Sequence, residues 1–79
     1  MTATIGDRLR LKQQLPYLKT ADPMPMLRPS DLVSLDEVGE VVAIHPLYTV
    51  AVRFRRGTFL ISLDQLKAAS QDDADEVVD

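Results

Sequence analysis

Apolar and polar residues alternate with a period of two in several short runs, and turn-forming residues separate the runs. In Asp7-Arg8-Leu9-Arg10-Leu11-Lys12, the leucines fall on one side and the three basic residues on the other, the pattern of a half-buried strand. Gly6 precedes it at a natural turn position. The segment from Leu32 to Leu35 is expected to form a second short strand, and Val38 to Ile44 a third. Gly39 inside that third run marks a bulge or a close backbone approach. Tyr48 to Phe54 alternates again, which puts Tyr48, Val50, Val52 and Phe54 on one face. Thr58 to Ile61 supplies a further strand. Between these runs, His45-Pro46-Leu47 and Arg55-Arg56-Gly57 read as turns, with Gly57 providing the positive φ that a tight turn needs. Ser62-Leu63-Asp64-Gln65 matches a capping box, so Ser62 is expected to cap a short helical turn with Gln65 reaching back to it. Leu63 and Leu66 would then close one end of the fold.

One stretch breaks the alternation. Pro16, Pro23, Pro25 and Pro29 crowd into it. Each lacks an N–H and pushes the preceding residue toward an extended conformation, which argues against regular helix or a central strand. A long stiffened loop is expected, and Leu18, Met24, Met26 and Leu27 argue that it is ordered. Two uses for its apolar side chains stand side by side. Met24, Met26 and Leu27 either fold over an open end of the domain or form a pre-stiffened contact surface. Five short strands cannot bury two faces as a flat sheet, but they are stable when the sheet curls onto one apolar face. The expected fold is therefore all-β: a small SH3-like five-stranded barrel with a long Pro-rich loop and one short helical turn.

Length and charge bound the picture further. Seventy-nine residues suffice for one thin-cored domain. There is no cysteine, hence no disulfide and no Cys-based zinc site. No basic start with an apolar run marks a signal peptide, and no stretch nears the roughly 20 apolar residues of a membrane span. A soluble cytoplasmic monomer is the expectation. The net charge of −3 is unevenly spread: five acids lie in the last eight residues, and without them the remainder carries +2. The domain is thus assigned to residues 1–69 and a disordered acidic tail to residues 70–79, with disorder setting in from Ala69. The tail is read as solubilising, with masking of the basic body as the other role considered.

Catalytic chemistry is missing from this reading. Nucleophilic catalysis needs a nucleophile, a base and an orienting group, whereas the single histidine, His45, sits beside a turn proline. Gly6, Gly39 and Gly57 are too scattered to cradle a phosphate. The acidic end lacks the glycine and spacing of a calcium loop. No enzyme activity, metal or cofactor is expected. What remains is binding. Arg8, Arg10 and Lys12 line one strand face, and Arg53, Arg55 and Arg56 cluster at a strand end and turn. Together with the loop, the partner-binding candidates are Met24, Met26, Arg28, Arg53, Arg55 and Arg56. Nucleic acid is the weaker match, because the basic excess is small and, of Tyr17, Tyr48, Phe54 and Phe59, at least Phe54 suits the core better than base stacking.

The run from Pro16 to Pro29, followed by Asp31-Leu32, resembles the proline loop of the cyanobacterial SipA regulatory proteins. Val38-Gly39-Glu40-Val41-Val42, Val50-Ala51-Val52-Arg53-Phe54 and Gly57-Thr58-Phe59-Leu60 also match pieces of that family, over residues 5–66 in all. The resemblance implies an SH3-like barrel. It also implies an adaptor that binds the ATP-binding catalytic domain of an NblS-like sensor histidine kinase and stimulates its autokinase activity in high-light and stress signalling. Two other readings stay open beside it. One is a docking subunit of a photosynthetic electron-transfer complex, the other a nucleic-acid-binding SH3-like barrel.

Overall fold

The computed structural model describes residues 3–69. The expected tail, residues 70–79, lies outside the described residues. Seven strands follow one another: β1 (Arg8–Leu11), β2 (Leu18–Thr20), β3 (Leu27–Arg28), β4 (Gly39–His45), β5 (Thr49–Phe54), β6 (Gly57–Ser62) and β7 (Leu66–Ala68). Two 3-10 turns, Ser30–Leu32 and Leu63–Gln65, complete the elements. The strands form a single antiparallel sheet in the order β3-β2-β6-β5-β4-β1-β7, and among the described residues no ladder joins β3 to β7. The domain is small and mostly β. No described helix is long and apolar enough to cross a membrane.

The strand count corrects the expected five, because the proline-rich stretch contributes β2 and β3. β2 even lies between β3 and β6, as a central strand. The prolines permit this by standing outside the strands. Pro16 precedes β2, Pro23 and Pro25 lie in the connection, and Pro29 follows β3. No ladder donor is lost. The segment from Leu32 to Leu35, in contrast, is no strand. Pro29 leads into the 3-10 turn Ser30–Leu32, and the Val33 N–H closes it onto the Ser30 carbonyl at 3.4 Å. Val33 then points into the core as a single buried side chain.

The β4–β5 hairpin departs from the expected alternation at both ends. Its register shift falls between Val41 and Ala43 rather than at Gly39. Gly39 serves instead as a close approach, since a Cβ there would lie 2.5 Å from Val52 Cγ1. At the tip, His45 pairs with Thr49 around Pro46-Leu47-Tyr48, and Leu47 and Tyr48 both adopt φ of 62°. That left-handed turn removes Tyr48 from the strand, so it sits on the surface while Val50, Val52 and Phe54 are buried.

The core gathers the inward residues of most strands: Leu9 and Leu11 from β1, Leu18 from β2, Val41 from β4, Val50, Val52 and Phe54 from β5, and Phe59 and Ile61 from β6. Val33, Leu63 and Leu66 complete it. Each such side chain, taken out of water, contributes about 1.5–3 kcal/mol before entropy is counted. Ala69, expected to begin the disordered tail, is buried, and its N–H donates to the Arg8 carbonyl at 2.9 Å. Its methyl group and that hydrogen bond make Ala69 part of the packed domain. At the second 3-10 turn, Ser62 Oγ accepts from the Asp64 N–H at 3.3 Å. Gln65 does not reach back. Its Oε1 accepts from Gln13 Nε2 at 3.0 Å and ties the turn to the segment after β1.

Candidate docking surface

The β2–β3 connection is built to hold its shape. Thr20 N–H donates to the Met26 carbonyl at 2.8 Å, and Met26 N–H donates to Thr20 Oγ1 at 2.8 Å. Ala21 N–H donates to the Thr58 carbonyl at 3.0 Å, which seats the connection on β6. Within this frame Met24 is 83% exposed, Met26 58% and Leu27 63%. None of the three belongs to the core. The reading in which they fold over an open end is thereby corrected. The alternation of β2 already sends Leu18 inward, and the edge strand β3 lies beyond it.

The same register explains the placing of two prolines. Antiparallel pairs alternate between hydrogen-bonded and non-bonded positions. Thr20 and Met26 are a bonded pair, so the Leu27 amide faces away from β2, as do the positions two residues on either side. Those positions are Pro25 and Pro29, which carry no N–H. The edge is therefore poor in donors, as exposed edges that avoid pairing with other strands are. The edge presents side chains rather than an open ladder.

Five of the six sequence candidates fall into two shallow clefts on either side of the β5–β6 turn. Met26, Arg28 and Arg56 line one of about 320 Å³, together with Asp22, Thr58 and Phe59. Arg53 and Arg55 line the other, of about 330 Å³, with Arg8 and Glu40. Met24 lines neither of these two and projects from the connection. Arg53 is not a free cation, because its Nη2 lies 2.8 Å from Glu40 Oε1. The Arg55 N–H donates to Glu37 Oε2 at 2.7 Å, fixing the turn and leaving its guanidinium outward. His45 is exposed beside the β4–β5 turn.

Two further apolar sites were not singled out from the sequence. Tyr17, half exposed, joins Leu15, Pro16, Lys19 and Gln65 around a hollow of about 320 Å³. Ile44, Leu47 and Tyr48 form an exposed tip on the β4–β5 hairpin. The available signal for the tip was a run from Val41 to Val52 with no charged residue, too long for one buried strand.

The family model described as Protein CHLORORESPIRATORY REDUCTION 42-like (CRR42-like) matches residues 5–66. No curated protein and no solved structure matches the chain. The family match overturns the resemblance to SipA, which rested on the same stretch. Of the motifs behind that resemblance, the V-x-V-x-F run and the glycine turn recur in many small barrels and do not separate families.

Proposed function

Since the chain belongs to the CRR42-like family, we propose that it is a non-enzymatic docking protein serving a photosynthetic electron-transfer complex, and that it binds an acidic protein partner. One observation carries this reading: Met24 and Met26 are held outward on a hydrogen-bonded connection, and Met26 shares a cleft with Arg28 and Arg56. Methionine is an adaptable apolar contact, arginine a strong anchor at interfaces, and a connection fixed in advance lowers the ordering cost of binding. The words of the family description, chlororespiratory reduction, are in keeping with such a setting and name no ligand. The kinase-adaptor reading drew its support from SipA, and that support is gone.

We read the topology as an SH3-like barrel whose long first loop contains the β2–β3 hairpin. The support is that β1 pairs with both β4 and β7, that β4, β5 and β6 follow as successive hairpins, and that a 3-10 turn directly precedes β7.

The experiment is a titration of the isotope-labelled protein with ferredoxin, with a sensor-kinase catalytic domain and with RNA, following amide shifts. Shifts at Met24, Met26, Arg28 and Arg56 with ferredoxin alone support the proposal. A response to the kinase domain or to RNA alone sinks it.

A further inference from the structure

The outer face of the sheet, opposite the core, carries a row of charges that the register sets. Arg8 on β1 is the partner of Glu40 on β4, and Glu40 is the partner of Arg53 on β5. Directly opposed residues of antiparallel strands share a face. Two residues along β1, on that same face, Arg10 opposes Lys67 on β7. Glu40 is the acid within the row, and it is already engaged by Arg53.

The described chain ends beside this face, and the sequence that follows is acidic. Ala69 is buried, with its N–H on the Arg8 carbonyl at 2.9 Å, so the backbone leaves the described domain beside Arg8. Ser70 and Gln71 follow, and then Asp72, Asp73, Asp75 and Glu76. An extended chain advances about 3.3–3.6 Å per residue, and neighbouring strands lie about 4.8 Å apart. The acidic segment therefore has the length to cross β1 and β4 and reach Arg53. A short tether also keeps its local concentration near the millimolar range. From the sequence alone this stretch reads as solubilising; the point of exit supplies what the sequence lacked.

We propose that the acidic segment Asp72–Glu76 docks back, within the same chain, onto the cationic face formed by Arg8, Arg10, Lys67 and Arg53. The contact is electrostatic and exposed, so it is partial and salt-sensitive. Its test needs no partner protein and is independent of the docking reading above.

Amide spectra of the full chain are compared with those of a full-length variant carrying Asp72→Asn, Asp73→Asn, Asp75→Asn and Glu76→Gln. The expected result is shift differences at Arg8, Arg10, Glu40, Arg53 and Lys67 that fall by at least about half between roughly 0.05 and 0.5 M salt. A spin label at Val78→Cys, the single cysteine of such a chain, should broaden Arg53, and the neutralised segment should lose that broadening. Differences confined to residues beyond Lys67, or unaffected by salt, overturn the proposal. So does broadening of Arg53 that grows with protein concentration, which would assign the occupant to a second copy.

Discussion

Thr20 and Met26 hold each other twice, once through the backbone and once through the threonine hydroxyl, both at 2.8 Å. The second bond keeps the Met26 N–H from depending on solvent at the mouth of the connection. Thr20→Val preserves shape and removes the acceptor. We expect a loss of about 0.5–1.5 kcal/mol, the net size of one hydrogen bond, read from urea denaturation. Partner affinity should fall as well, because Met24 and Met26 would then have to be ordered on binding.

Gly39 tests the packing beneath β4. A methyl group there would meet Val52 Cγ1 at 2.5 Å and Phe54 Cε1 at 2.7 Å, and both neighbours are buried. Neither is the free end of a flexible side chain. Gly39→Ala should therefore destabilise by about 1–3 kcal/mol, as overpacking does, and lower the melting temperature. An unchanged midpoint would mean that β4 stands further from β5 than this geometry has it.

Leu47 gives the opposite sign. It is 93% exposed and sits at φ of 62°, a conformation that costs a non-glycine residue roughly 1–2 kcal/mol. Leu47→Gly removes that strain and loses almost no burial, although glycine adds entropy to the unfolded chain. The net expectation is a gain of up to about 1 kcal/mol by the same denaturation assay.

These residues also show what was legible beforehand. The Leu9/Leu11 and Val50/Val52/Phe54 alternations were plain because one face of each strand is buried, and burial writes itself into a period of two. The closeness of Gly39 to its neighbours was foreseen as one of two options, for a backbone near another strand tolerates no Cβ. β2 and β3 were hidden because prolines usually end strands, and here they bracket two very short ones. Tyr48 was misplaced because nothing in Pro46-Leu47-Tyr48 signals consecutive left-handed residues, which glycine or asparagine normally announces. Of the candidate site, the residue types were legible. Their division between two clefts was not, since it depends on β3 lying beside β2 rather than on spacing along the chain.

The last prediction separates binding from packing at Met26. The side chain is 58% exposed and outside the core, so Met26→Ala should leave the melting temperature nearly unchanged. Its effect should appear in affinity for the acidic partner, at about 1–2 kcal/mol, as for a moderate anchor. Arg56→Ala, in the same cleft, should weaken binding by a similar amount, but through a different rate. A charge on the rim steers encounter, so the arginine change should slow association and fade at high salt. An apolar contact holds the formed complex, so the methionine change should speed dissociation and persist in salt. Arg53→Ala should matter least, since that guanidinium already engages Glu40 in an exposed pair worth well under about 1 kcal/mol. If Met26→Ala lowered the melting temperature while leaving affinity intact, the loop would be structural and the docking surface would lie elsewhere.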